Sequence, residues 1–125
     1  MELKAGDVIY AYCAFVPGNK FLICLCPSPP YFFFINSEPR RQTPDAQIEI
    51  TKKDLAFLKH VSYINTATIC TIYPEEIIDA TPKGPLPAYL KEKILKVIDG
   101  SRYLSANQQA MIKTNLGPTS SLQTK

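Results

Sequence analysis

Hydrophobic and polar positions divide the chain into a strand-like part and a helix-like part. After the turn signal Gly6-Asp7, the run Val8-Ile9-Tyr10-Ala11-Tyr12-Cys13-Ala14-Phe15 is rich in strand formers. Pro17-Gly18-Asn19 is turn chemistry between two apolar runs, so it predicts a hairpin into a second strand. That strand, Lys20 to Cys26, is apolar throughout after Lys20 and is therefore expected to be central. Pro27, Pro29 and Pro30 are expected to end it, because proline cannot donate to a ladder. Tyr31-Phe32-Phe33-Phe34-Ile35 follows, far short of the roughly 20 apolar residues that cross a bilayer. Its length suits a strand buried on both faces, or buried on one and covered on the other.

A polar loop, Asn36 to Asp45, leads to the alternating strand Ala46-Gln47-Ile48-Glu49-Ile50. Thr51-Lys52-Lys53-Asp54 resembles a capping box and predicts one or two helical turns through Leu58. A last strand is expected from Tyr63 to Tyr73, and Pro74-Glu75-Glu76 starts a short helix with proline first and acids in its first turn. Two segments echo each other: Phe34-Ile35-Asn36-Ser37 and Tyr63-Ile64-Asn65-Thr66 both set an Asn and a hydroxyl residue beside a strand.

The pattern changes at Thr81-Pro82-Lys83-Gly84-Pro85-Leu86-Pro87, which reads as a linker. Beyond it Leu90, Ile94, Val97 and Ile98 share one helical face, and Gly100 closes the helix. A second helix starts at Ser105, with Gln108 three residues on, and runs to about Asn115 before Gly117-Pro118 stops it. The expected organisation is a small barrel over residues 1–80, a proline-rich linker over 81–87, a two-helix extension over 88–117 and a flexible tail over 118–125. The fold class is mainly β with C-terminal helices, since five or so short strands joined by tight turns favour a closed or half-closed barrel.

Composition adds little until it is split by position. Of 125 residues, 46% are hydrophobic and 20% charged, which is ordinary for one globular domain. No signal peptide is recognisable at Met1-Glu2-Leu3-Lys4 and no transmembrane run is present, so a cytoplasmic location without membrane contact is expected. Residues 1–80 hold seven Lys/Arg against nine Asp/Glu, whereas residues 81–125 hold seven against two. The basic C-terminal third either touches nucleic acid or an acidic partner, or merely solvates a helix face.

Candidate chemistry is sparse. Cys13, Cys24, Cys26 and Cys70 are the only cysteines. Cys24-x-Cys26 on a strand sets two thiols about 7 Å apart on one face, whereas ligands of one zinc lie within about 4 Å of each other. No metal and no cofactor are therefore expected. His60, the sole histidine, is the obvious general acid or base candidate; the alternative is a dipole-compensating cap at a helix end. Phosphate-cradling glycine loops, nucleophile elbows and HExxH motifs are absent. The densest polar constellation is Asn36-Ser37-Glu38-Pro39-Arg40-Arg41-Gln42-Thr43-Pro44-Asp45. Two guanidiniums hold a phosphate bidentately, with Glu38 and Asp45 as bases and Ser37 as a donor; a solvated hairpin loop with an internal salt bridge is the alternative.

The succession Gly6-Asp7-Val8-Ile9-Tyr10, Asn19-Lys20-Phe21-Leu22-Ile23-Cys24-Leu25, Phe34-Ile35-Asn36-Ser37 and Tyr63-Ile64-Asn65-Thr66-Ala67-Thr68-Ile69 resembles the PemK/MazF toxins of toxin–antitoxin systems. The resemblance covers about residues 5–79. It implies a small SH3-like barrel, a homodimer, metal-independent cleavage of single-stranded RNA and neutralisation by an antitoxin protein. The sequence departs from the family where the second strand's Arg-Pro is replaced by Lys20-Phe21, and where the last strand's arginine is missing between Asn65 and Thr71. Lysine keeps the charge but loses the guanidinium fork. The resulting candidate set is Lys20, Arg40, Ser37 and His60 for catalysis, with Arg41, Asn36, Asn65 and Thr66 binding RNA. The competing expectation is a non-catalytic barrel that binds a protein or nucleic-acid partner.

Overall fold

The computed structural model describes residues 2–14 and 18–117 of the chain. The expected turn at Pro17 and the expected flexible tail lie outside them, the tail being 118–125. Among the described residues six strands form one antiparallel sheet: β1 Asp7–Tyr12, β2 Asn19–Pro27, β3 Pro30–Asn36, β4 Gln47–Ile50, β5 Ser62–Asn65 and β6 Thr81–Pro85, in the order β4-β5-β3-β2-β1-β6. Three helices accompany it among the described residues, α1 Pro74–Ile78, α2 Ala88–Ile98 and α3 Ala106–Leu116. The chain is thus mainly β with C-terminal helices. The sheet is open: among the described residues β4 and β6 are its two edges and share no ladder.

The double-sided burial expected of the aromatic run is present. Phe33 and Ile35 join Val8, Ile23, Leu25, Ile48 and Ile64 on one face, where Leu90, Ile94 and Ile98 of α2 and Ile112 and Leu116 of α3 cover them. Phe32 and Phe34 point the other way, into a smaller core with Ile9, Ala11, Leu22, Cys24, Cys70 and Ile72. Alternation along β3 therefore demands two covers, and each buried Phe or Ile contributes about 1.5–3 kcal/mol over an exposed one.

Four local expectations are corrected. Pro27 and Pro30 lie inside paired strands, facing each other across the two-residue turn Ser28-Pro29. At the hairpin's end no ladder donor is required of them. The predicted helix over 51–58 is a series of turns. Asp54 Oδ2 accepts from the Thr51 amide at 2.8 Å and the Lys53 amide donates to Thr51 Oγ1 at 3.2 Å, but the chain must drop both Leu55 and Leu58 into the core. A stretch this short gains little from helix propagation. The predicted strand over 63–73 stops at Asn65, whose Oδ1 accepts from the Ala67 amide at 2.9 Å and turns the chain. It rejoins the sheet only at Cys70, which exchanges two backbone bonds with Phe32.

The fourth correction concerns the expected linker, because Thr81–Pro85 is β6, paired with β1. Its two prolines are tolerated because β6 is an edge strand. The helices it introduces carry the cover of the main core, so residues 88–117 are integral to that core. Gly100, at φ +72°, ends α2 as expected. Ser105 and Gln108 form the capping box reciprocally, at 3.1 and 2.9 Å. The echoed segments of β3 and β5 are neighbours, with Ile35 opposite Ile64 and Asn36 opposite Tyr63.

Cys13, Cys24 and Cys70 are buried among these side chains, and all four thiols are free. Burial pushes the Cys24 thiol up to about 12, with Asp7 adding repulsion, and burial likewise pushes Cys70 up to about 12, with Cys13 beside it. Cys24 and Cys70 stay protonated, and the three buried cysteines pack as small hydrophobes.

Asp54 pins the 51–58 turn to α2 by accepting a 2.7 Å bond from the Tyr89 hydroxyl. That bond, then the Thr51 amide, holds the Asp54 carboxyl below its usual value, with Lys93 contributing. A carboxylate depressed in the folded state stabilises in full above its unfolded value near 3.9, and that support is lost as pH falls through the folded value. Stability measured by urea unfolding between about pH 5 and pH 2 should fall less steeply in Tyr89→Phe than in the parent chain. Parallel curves for the two proteins would contradict this role of Asp54.

Candidate functional site

Beside the helix-covered core, a cleft of about 490 Å³ opens at the ends of β1, β2, β3 and β6. Its size is within the range that holds a small ligand or a short polymer segment. Its apolar wall is a run of rings. Tyr10 and Phe21 have centroids 4.8 Å apart at 49°, and Phe21 and Phe57 are 4.6 Å apart at 38°. Strand alternation explains the row: Tyr10 and Phe21 face each other across the β1–β2 ladder, and the turn after β4 lays Phe57 beside them.

Lys83 completes that wall by a distortion of β6. Val8 pairs with Gly84 but Ile9 pairs with Pro82, so Lys83 is an extra residue in the edge strand. Such bulges bend a strand and re-aim a side chain. Here Lys83 Nζ sits 6.0 Å from the Phe21 ring centroid and 5.9 Å from that of Phe57, at the limit of cation–π contact. Gly84 permits the bulge, since its φ of +94° is a conformation that residues with a Cβ rarely adopt.

Lys20, Lys59 and His60 share the cleft with Lys83, together with Asn19, Asn36, Ser37 and Ser62. Among the described residues no carboxylate lines it, and none of its lysines has a carboxylate within ion-pair distance. His60 is exposed, and its Nδ1 lies 3.1 Å from the Val61 carbonyl. A carbonyl can only accept, so this contact places the proton of the neutral ring on Nδ1 and makes Nε2 an acceptor. An uncompensated cationic cleft over stacked rings attracts an anion that also has a flat face.

Six of the eight candidates divide between two places, and Asn65 and Thr66 line neither. Lys20, Ser37, His60 and Asn36 line the cleft, although Asn36 shares the parity of Phe32 and Phe34, and Lys20 that of Leu22 and Cys24, so both side chains leave their strands on the opposite face. The Asn36 side chain stays buried there. Its Nδ2 is buried without a hydrogen-bond partner, as is Thr66 Oγ1. Asn65 and Thr66 are buried, and Asn65 is engaged in its turn with Ala67. Arg40 and Arg41 line a separate depression of about 410 Å³ with Tyr63, Gln47 and Glu49. The Arg40 guanidinium lies 5.3 Å from the Phe34 centroid, and Phe34 belongs to the smaller core. Arg40 therefore serves the face opposite the Tyr10-Phe21-Phe57 wall, and Lys20, opposite Ala11 and in step with Leu22 and Cys24, leaves β2 on Arg40's face at the rim of the cleft. The internal salt bridge of the alternative, solvated-loop reading of 36–45 is not formed among the described residues; Asp45 instead meets Arg102 at 3.6 Å.

No protein-family model matches this sequence, and no curated protein is significantly similar to it. Among the described residues no cluster of three or more His, Cys, Asp or Glu side chains is placed to hold a metal ion. No helix among them is long and apolar enough to cross a membrane.

Lys59, Lys83 and the Tyr10-Phe21-Phe57 wall were absent from the sequence-based set. Lys59 stands next to His60, and Gly84 between two prolines hints at an irregular strand, but only strand pairing brings Lys83 to Phe21. Gly84→Ala has open space around its new Cβ, so its cost is backbone strain alone. Chemical denaturation should show a loss of about 1–2 kcal/mol. An unchanged midpoint would show that the bulge does not depend on the positive φ.

Proposed function

We propose that this chain binds single-stranded RNA in the cleft of Tyr10, Phe21, Phe57, Lys20, Lys59 and Lys83. The observation that carries the reading is the pairing of a stacked aromatic wall with three lysines and no carboxylate among the described lining residues. Sequence-tolerant recognition of single strands uses these two parts: rings on which bases stack, and cations that follow the phosphates. A duplex hides its base faces, so the cleft favours an unpaired strand. Lysines act here as point charges and read no base edge.

Metal-independent RNA cleavage is the catalytic form of this reading, favoured by His60 and Ser37 beside Lys20. His60 Nε2 takes the proton of a ribose 2′-hydroxyl. That oxygen attacks the adjacent phosphorus and forms a 2′,3′-cyclic phosphate, while the 5′ oxygen leaves and gains a proton from an ammonium or water. Lys20 stabilises the charge on the phosphorane, and Ser37 donates to it. Arg40 lines the separate depression and takes no part in this step. The PemK/MazF-like reading adds closure of the sheet into an SH3-like barrel, a homodimer, an antitoxin protein as partner and a cytoplasmic setting. The non-catalytic reading keeps the cleft and drops the chemistry.

Fluorescence anisotropy with an oligouridylate in EDTA, beside a matched duplex, tests the binding. The single strand should bind more tightly, and Lys20→Ala/Lys83→Ala should lower the slope of log K against log salt by about 1.4, or 0.7 for each lost phosphate contact. Equal affinity for duplex and single strand, or an unchanged slope, would overturn it. On a gel, discrete fragments from the parent chain and none from His60→Ala would establish the catalytic form; intact RNA would leave binding alone.

A further inference from the structure

The second depression is built to present arginine. Gln47 projects from β4 on the side away from Ile48 and Ile50, and its side-chain amide clamps the loop above it. Gln47 Oε1 accepts from the Arg40 amide at 2.6 Å, while Nε2 donates to the carbonyls of Arg40 at 2.9 Å and Thr43 at 3.1 Å. Arg40 is thus fixed at its backbone and rests its guanidinium on the Phe34 ring, at 5.3 Å. Among the described residues neither Arg40 nor Arg41 has a carboxylate within ion-pair distance. Glu49 shares the depression and offsets one of the two positive charges. A guanidinium whose rotamers are already restricted loses less entropy on meeting a planar anion, and its fork engages two oxygens at once.

The position of the loop says which anion. Ser37 lines the cleft and Arg40 lines the depression, three residues apart in sequence. Three extended residues span at most about 11 Å. The loop therefore joins the two sites around the end of β3, and Tyr63 offers a ring beside the arginines.

We propose that Arg40 and Arg41 form a second phosphate subsite on the face opposite the aromatic wall, which holds the same RNA strand after it passes the Ser37–Arg40 turn. This subsite rests on the RNA reading of the cleft. It makes affinity depend on strand length, because a short oligonucleotide fills the cleft and a longer one reaches the arginines. Gln47 is a positioning residue, acting on the strand only through Arg40.

The test compares a four-residue with a twelve-residue oligouridylate by anisotropy, using the parent chain, Arg40→Ala/Arg41→Ala and Arg40→Lys/Arg41→Lys. The alanine pair should bind the twelve-mer at least tenfold more weakly, with a salt slope lower by about 1.4, and bind the four-mer like the parent. The lysine pair should restore the slope but only part of the affinity, since charge returns without the fork. If the parent binds both lengths and the alanine pair matches it on both, the subsite is refuted while the cleft stands. If the alanine pair weakens both lengths equally, the arginines belong to the cleft and no second subsite exists. If the parent binds neither length, the RNA reading fails and takes the subsite with it. Displacement of the twelve-mer's outer part by an oligoglutamate at equal concentration would assign the arginines to an acidic protein and overturn the phosphate assignment.

Discussion

Strand β3 carries a bulky side chain at each of four successive positions, so neither face of the sheet can be left to water. Phe33 and Ile35 call for the cover that α2 and α3 provide, and Phe32 and Phe34 for the second core around Cys24, Cys70 and Ile72. Truncating a ring such as Phe33 would remove contacts on which both the sheet and the helices rest, at a cost of about 3–5 kcal/mol. The same alternation decides where chemistry sits. A residue one step along β3 changes faces, and the loop that leaves the strand at Asn36 passes from one face to the other. That is why Ser37 and Arg40, close in sequence, border different sites.

The cleft depends on the edge of the sheet in a second way. β6 is the strand least like a strand in composition, and its extra residue is the one that turns a lysine onto the aromatic wall. A regular β6 would follow the alternation of its neighbours and leave the positive charge over Phe21 and Phe57 weaker. The site is thus a product of sheet irregularity, placed where the ladder ends and side chains are free to meet a ligand.

Much of this was legible in the sequence. Period-two and continuous apolar runs located β1 to β4, the i, i+4, i+8 spacing of Leu90, Ile94 and Ile98 located α2, and Ser105 with Gln108 located the start of α3. What escaped had physical reasons. Proline and glycine normally mark loops, and only pairing with β1 turns Thr81–Pro85 into a strand. Asn65 ends β5 through a side-chain bond that propensity does not register. Thr51 and Asp54 make reciprocal local bonds, yet tertiary demand on Leu55 and Leu58 prevents a helix. Of the candidate site, Lys20, Ser37 and His60 were brought together, whereas Arg40 and Arg41 were not. Faces of a sheet are assigned by register, which a loop sequence does not carry.

The central claim is that one electropositive aromatic cleft receives an unpaired strand. Its most direct test is an NMR titration of isotopically labelled protein with a four-residue oligouridylate. The account predicts shifts concentrated at Tyr10, Lys20, Phe21, Phe57, Lys59, His60 and Lys83, with Arg40 and Arg41 unmoved. Shifts centred on the C-terminal helices, with the cleft resonances unchanged at saturation, would contradict it.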